Sequence, residues 1–335
     1  MKLLRKILFP LNALYYLVVW FRNQCYDLGL LKSKSYDLPI ICVGNLSVGG
    51  TGKTPMVEFL IQLLQSHFRV AVLSRGYARK SKGFVLADDH STAQSIGDEP
   101  FQMSQKFPNT IFAVDANRQN GIERLQTLDV GAEIIILDDA FQHRRVIPGL
   151  SILLTSYSDL YCDDFVLPSG NLREPRSGAK RAQVVVVTKC PIVLDKAERK
   201  FIKKRLNLTH DQMLFFSSIV YSDIVISKSG SRPLKDLKSQ RITLVTGIAN
   251  PSHLTRHLQY IGLDFEHLQF ADHHEFSERE LNVIASKSIV LTTEKDFSRL
   301  QSVKHPNLFY IPISIQLFDR ERFGSILKGF VSKAN

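Results

Sequence analysis

Gly49-Gly50-Thr51-Gly52-Lys53-Thr54 sets three glycines, a lysine and a hydroxyl side chain together. Ahead of them is the apolar run Ile40-Ile41-Cys42-Val43; behind them is a segment with helical apolar spacing at Val57, Leu60, Ile61 and Leu64. Strand, glycine-rich loop and helix in that order form the context of a phosphate-binding loop. Glycine permits the tight turns that point successive backbone N–H groups at phosphate oxygens. Lys53 then reaches the terminal phosphates, and the Thr54 hydroxyl suits Mg²⁺. Pro55, early in the helix, costs no needed hydrogen bond. The general pattern G-x-x-x-x-G-K-[ST] has glycine where this chain has Ser47. A plain glycine-rich turn is the alternative, and Gly-Lys-Thr in this setting favours the phosphate loop.

A second signal is Ile134-Ile135-Ile136-Leu137-Asp138-Asp139. An acid at the carboxyl end of a buried strand holds Mg²⁺ or its water in phosphate-loop enzymes. Val70 to Ser74 reads as a strand ending in Arg75, and Ile111 to Val114 as one ending in Asp115-Ala116-Asn117-Arg118. In α/β sheets, sites lie at these carboxyl ends. Gly97-Asp98-Glu99-Pro100 opens a helical stretch with acids suited to a helix N-terminus. Ala140 to Arg145 is dense in polar groups, and Leu167 to Arg176 is a proline- and glycine-fixed loop carrying Arg173 and Glu174. Thr188-Lys189-Cys190-Pro191 stands where guanine-specific proteins carry [NT]-K-x-D. Proline in place of the base-reading acid favours adenine.

Alternating strands and helices imply right-handed crossovers and a mostly parallel sheet. The expected fold is α/β: a phosphate-loop NTPase-type sheet with helices on both faces, a smaller C-terminal α/β lobe and an N-terminal hydrophobic helix. The expected divisions are 1–34, 35–220 and 221–335. Strands at Ile242, Ile289 and Leu308 restart the rhythm in the last third without a second phosphate loop. His253 and His257 read as surface histidines, because Leu254 replaces the glutamate a zinc protease needs.

The chain has 335 residues and a formal net charge of +11, which calls for an anionic partner. Nucleic acid is one candidate, yet no recognisable nucleic-acid module is present. Four scattered cysteines without a C-x-x-C pair indicate neither zinc nor disulfides. Ile7 to Phe21 is apolar and aromatic, flanked by Lys2, Arg5, Lys6 and Arg22. As a helix it spans only about 22 Å, short of the roughly 30 Å hydrocarbon core. Basic flanks and aromatics favour a helix in the membrane interface over one packed in the core.

Taken together these stretches resemble the tetraacyldisaccharide 4'-kinases of lipid A biosynthesis. The resemblance rests on Gly44 to Pro55, Ser74 to Tyr77, Gly97 to Pro100, Asp115 to Arg118, Leu137 to His143, Leu167 to Pro175 and Phe270 to His274. Serine at the place of Ser47 belongs to that family's pattern, while Ala271 replaces its common proline. The resemblance implies transfer of the γ-phosphate of ATP, with Mg²⁺, to the 4'-hydroxyl of a lipid-linked glucosamine disaccharide 1-phosphate. It implies work on an anionic membrane surface at the cytoplasmic face of the bacterial inner membrane, with no nucleic acid and no obligate protein partner. By resemblance Asp98 is the base, assisted by His273 with Asp272 beside it, and the two lobes close over the nucleotide. Thr54, Asp138, Asp139 and Glu174 are metal-side groups. Arg75, Tyr77, Glu99, Arg118, Gln142, His143 and Arg173 contact substrate. The competing class is a phosphate-loop switch or partition ATPase. Val48, where partition ATPases carry lysine, and the apolar N-terminus speak against it.

Overall fold

All six residues of Ile40–Asn45 (β1) are buried, as in a strand covered on both faces. Its side chains alternate, and so do their partners. Ile40 and Cys42 belong to one hydrophobic cluster with Leu73, Ile135 and Leu137, while Ile41 and Val43 belong to another with Val72, Ile134 and Ile136. In this computed structural model, residues 9–128, 130–272, 274–300 and 303–334 are described. The next strands are β2 (Val70–Ser74), β3 (Val85–Leu86), β4 (Ile111–Val114), β5 (Ile134–Asp138), β6 (Leu150–Ser156), β7 (Val184–Thr188) and β8 (Met213–Tyr221). Then come β9 (Ile224–Ser227), β10 (Gly230–Pro233), β11 (Ile242–Thr246), β12 (Phe265–Gln269), β13 (Ile289–Thr293), β14 (Leu308–Ile311) and β15 (Ile313–Leu317).

The chain divides into two units, one running to Ile219 and resuming at Ile315, the other Val220–Ser314. The first holds the sheet β15-β8-β7-β6-β1-β5-β2-β4-β3. Its seven strands from β8 to β4 pair in parallel, and β3 is antiparallel to β4. Parallel pairing puts the carboxyl ends of β1, β2, β4, β5 and β7 on one edge, where Lys53, Arg75, Asp115, Asp139 and Lys189 follow. The second unit is a smaller mixed sheet, β10-β9-β14-β13-β11-β12, over a core of Leu244, Leu258, Leu291 and Phe309. This is the α/β architecture expected, with its mostly parallel sheet.

The last stretch departs from the sequence-based division, which carries residues 221–335 into one C-terminal lobe. Residues from Ile315 return to the first unit. Beyond the strand expected at Leu308 lie β15 and a helix, Arg320–Ala334, whose Phe323, Leu327 and Val331 are buried beneath the large sheet. Phe323 meets Phe215 edge-on at 5.1 Å between centroids. A single apolar stripe on that helix finds no cover of its own, and the face of the first sheet supplies it.

The N-terminal helix, Phe9–Asp27, turns its polar side inward. The Asn12 side chain and Ser169 bond each other, with Ser169 N–H donating at 3.0 Å. Tyr15 hydroxyl donates to the Arg173 carbonyl at 2.8 Å, and Asn23 Nδ2 to Glu174 Oε2 at 3.0 Å. Outward lie Leu11, Leu14, Leu17, Val18, Trp20 and Phe21, with Leu14 62% and Phe21 65% exposed. Among the described residues no helix is long and apolar enough to cross a membrane.

Candidate phosphate site and the carboxylates beside it

The Lys53–Leu64 helix begins after Gly52, whose φ of 85° lies in the left-handed region. No side chain caps that helix, so its first N–H groups face an anion's place directly. Asn45, last in β1, donates through Nδ2 to Thr51 Oγ1 at 2.8 Å and ties the loop to the strand. Ser47 forms a β-bridge with Leu172, flanked by Val48 N–H to the Asn171 carbonyl (2.7 Å) and Arg173 N–H to the Leu46 carbonyl (2.7 Å). Position 47 is therefore paired to another segment and has a negative φ. This explains why serine serves where the general pattern has glycine.

Five charged groups meet beyond the loop. Lys53 Nζ is 3.6 Å from Asp139 Oδ1, and Arg173 NH1 reaches both Asp139 oxygens at 2.9 and 3.0 Å. Thr54 hydroxyl donates to Glu99 Oε2 at 2.8 Å. Asp138 lies 3% exposed at the end of β5 and takes one hydrogen bond, from Ser74 Oγ at 3.0 Å, on Oδ2. Its Oδ1 is buried without a partner. Burial, then the charges of Glu99 and Asp139, push the Asp138 carboxyl up to about 6. Burial acts on Asp139 too, but Lys53 and Arg173 outweigh it and hold that carboxyl below its ordinary value. An unpartnered buried oxygen beside further carboxylates and a threonine hydroxyl fits Mg²⁺, which takes one or two carboxylates and completes its shell with phosphate and water. Among the described residues no closed cluster of three acidic, histidine or cysteine groups offers an all-protein cage.

The raised Asp138 carboxyl has a cost. The folded protein holds that proton more tightly than the unfolded chain, so stability falls as pH rises from about 4 to about 6 and stays lower above. Asp138→Asn removes the titration. The unliganded variant is expected to be more stable than wild type at pH 8, by on the order of 2 kcal/mol, and no more stable at pH 4. Denaturant midpoints at the two pH values decide the matter, and a wild type that is the more stable at pH 8 contradicts it.

Two glycines bring further motif residues together. A Cβ on Gly97 would lie 3.0 Å from the Tyr77 carbonyl oxygen and 3.1 Å from Gly76 Cα. One on Gly76 would lie 2.9 Å from the Ile96 carbonyl oxygen. Bare backbone against backbone thus sets Arg75 and Tyr77 beside Asp98 and Glu99. Asp98 opens the helix Asp98–Lys106 with Gly97 at the cap position, so Asp98 is not the helix cap. Arg118 is 2% exposed and spans two strand ends, donating to the carbonyls of Asp115 (2.5 Å) and Asp138 (3.1 Å). With His143 it lines a cavity of about 490 Å³ shared with Arg22, Tyr26, Arg144 and Arg145. The Arg22 and Arg144 guanidiniums lie 5.3 and 5.1 Å from the Tyr26 ring centroid. Burial and the charges of Arg118 and Arg75 lower His143 to about 4, leaving a neutral imidazole.

Two expected site residues have other work. Glu174 is 2% exposed; its Oε1 accepts from Gln142 (2.9 Å) and Arg181 (2.8 Å), and its Oε2 from Asn23. Both oxygens are engaged in fastening the N-terminal helix and the β5 loop, a clamping role that the expected metal-side role does not include. Gln142 spends its amide nitrogen on Glu174 and the Asn45 carbonyl (2.9 Å), which makes it a support of the loop more than a substrate contact. Sequence reasoning missed Arg22, Tyr26 and Arg144. Their only signal was the polar density after Phe141 and the cation closing the apolar run.

In the second unit Asp272 follows β12 and lies 3.8 Å from Lys295 Nζ. His273 lies outside the described residues, so its expected role has no geometry here. His257 is not the surface histidine expected. It stacks on Tyr221 at 4.6 Å with Nε2 buried, because its helix packs that face on the unit's core.

The chain is similar to known proteins over nearly its whole length. A family model described as tetraacyldisaccharide-1-P 4'-kinase matches residues 4–332. The tetraacyldisaccharide 4'-kinase of Flavobacterium johnsoniae is 50% identical over 326 residues, 96% of this chain and 95% of that protein. That of Bacteroides thetaiotaomicron is 45% identical, covering 98% of this chain and 93% of that protein. A crystal structure of LpxK from Aquifex aeolicus in complex with ATP superposes with a TM-score of 0.82 at 31% identity, covering 98% of this chain and 99% of that one. Matched from residue 4 to 332 by the family model and over more than nine-tenths of each relative's length, the chain belongs to the tetraacyldisaccharide-1-P 4'-kinase family.

Proposed function

We propose that the chain moves the γ-phosphate of ATP to the 4'-hydroxyl of a tetraacylated glucosamine disaccharide 1-phosphate, working on a membrane surface. The observation that carries this reading is the meeting of Lys53, Thr54, Glu99, Asp138, Asp139 and Arg173 at the end of the phosphate loop. Phosphoryl transfer needs positioning and charge neutralisation more than covalent chemistry. The loop's N–H groups and Lys53 hold the phosphates, and Arg173 reaches the same place. Thr54, Glu99 and Asp138 would hold Mg²⁺, which neutralises charge on the phosphate oxygens when bound. Asp98 accepts the proton of the acceptor hydroxyl. The cavity of Arg22, Arg118, Arg144 and Arg145 takes the sugar phosphate, with neutral His143 as acceptor for a sugar hydroxyl. ADP release measured with and without the acceptor in detergent micelles tests the reading. Release is expected to require the acceptor, and equal hydrolysis without it would point to a switch ATPase instead.

The outward face of Phe9–Asp27 supports attachment to an anionic leaflet, and ATP chemistry suits the cytoplasmic side. Fastened by Asn12, Tyr15 and Asn23, that helix presents apolar side chains to lipid without needing to insert fully. Replacing Leu14, Leu17 and Phe21 by serine is expected to cut co-sedimentation with vesicles at least about tenfold, since each buried side chain contributes on the order of 1.5–3 kcal/mol. The melting temperature should hold, because all three are exposed. Undiminished sedimentation would contradict the assignment.

A further inference from the structure

The carbonyl oxygens of Gly50 and Thr51 both point to the end of β7. Thr188 hydroxyl donates to the Thr51 carbonyl at 2.7 Å, and Lys189 Nζ donates to the Gly50 carbonyl at 2.5 Å. Thr188 is 1% exposed and its hydroxyl also reaches the Thr155 carbonyl on β6 at 3.2 Å, so its position is fixed by two strands. Lys189 has a φ of 57°, a left-handed conformation unfavourable for a side chain with a Cβ. Thr188 and Lys189 lie outside the residues assigned above to phosphate, metal or acceptor.

A peptide unit is planar and trans, so its carbonyl and the following N–H point in opposite directions. Holding the Thr51 carbonyl against Thr188 therefore turns the Gly52 N–H to the other side, where the phosphate lies. Gly52 is glycine with positive φ and Gly50 sits beside Gly49, whose φ is 109°. Such a backbone rotates freely unless held. Asn45 holds the Thr51 side chain from the opposite strand, so the loop is gripped between β1 and β7.

We infer that Thr188 and Lys189 are positioning residues that pre-set the phosphate cradle for ATP by fixing the two peptide units that precede Thr51 and Gly52. The inference rests on the phosphate-loop reading of residues 49–54. Each residue acts through the loop backbone and touches no acceptor, so the effect falls on the nucleotide side alone.

The test compares Thr188→Val and Lys189→Met with the conservative Thr188→Ser and Lys189→Arg in the full-length protein. Affinity for Mg·ATP is read by calorimetry without lipid, and KM for each substrate by steady-state kinetics. Loss of one such hydrogen bond is expected to weaken ATP binding about five- to tenfold for each of the first pair. KM for the lipid acceptor should stay within about twofold, and Thr188→Ser and Lys189→Arg should recover most of the loss. ATP affinity unchanged in folded Thr188→Val and Lys189→Met, while Lys53→Ala loses it, overturns the brace and leaves the loop assignment intact. ATP affinity unchanged in Lys53→Ala as well means that the loop assignment itself has failed. A parallel rise in both KM values that serine and arginine do not rescue marks a general packing role and also overturns the inference. Thr188→Ser keeps the comparison sound should valine not fold in the buried strand.

Discussion

Lys53→Ala is expected to lower kcat about 10³-fold, the scale for removing one fixed donor from a developing oxyanion. Lys53 is the loop's only side-chain cation, and it lies 3.6 Å from Asp139. With phosphate present its charge has a stronger partner, while Asp139 keeps Arg173. The fold should survive for that reason, with a melting temperature near wild type. Lys53→Arg should not restore the rate, because a planar fork does not replace a compact ammonium in a glycine-walled loop. Turnover within a few-fold of wild type would remove Lys53 from the phosphate site.

Asp98→Ala is expected to lower kcat about 10²- to 10⁴-fold, the usual contribution of a positioned general base, with ATP affinity unchanged. An unactivated sugar hydroxyl is a poor nucleophile, and Asp98 is held by Gly97 against the Arg75–Tyr77 loop on the edge that carries the other site residues. A purely structural role predicts something different. In the first turn a carboxylate stabilises the helix by roughly 0.3–1 kcal/mol through the dipole, so its loss would lower the melting temperature by a few degrees and spare turnover. A weakened Asp98→Ala protein with normal kcat would take Asp98 out of the chemistry.

Much of this site was legible in the sequence because its parts follow strands in a fixed way. An apolar run ending in Gly-Lys-Thr, or in Asp138-Asp139, fixes both the element and the edge on which its chemistry lies. The family resemblance extended that reading to motifs, such as Asp115 to Arg118, that periodicity alone does not explain. What failed was pairwise geometry. Nothing in the chain reveals that Gln142, Arg181 and Asn23 bond the oxygens of Glu174. The Thr188-Lys189 pair drew notice only for the missing acid after it, since a side chain's bond to a distant carbonyl leaves no local pattern. The C-terminal helix is legible in local spacing, with Phe323, Ile326, Leu327, Phe330 and Val331 on one stripe, but spacing does not reveal that the stripe packs back on the first sheet. The N-terminal stretch read as apolar, yet its few polar residues decide its orientation: Asn12, Tyr15 and Asn23 face the protein and the leucines face out.

Transfer to the lipid is distinguished from hydrolysis by following the phosphate itself. The protein is incubated with γ-labelled ATP, Mg²⁺ and a tetraacylated glucosamine disaccharide 1-phosphate in micelles, and label in the lipid is compared with label released as inorganic phosphate. Label is expected to enter the lipid one-for-one with ADP formed, as a phosphate monoester on the sugar distal to the existing phosphate. Label appearing as inorganic phosphate at the same rate with or without the lipid would contradict it.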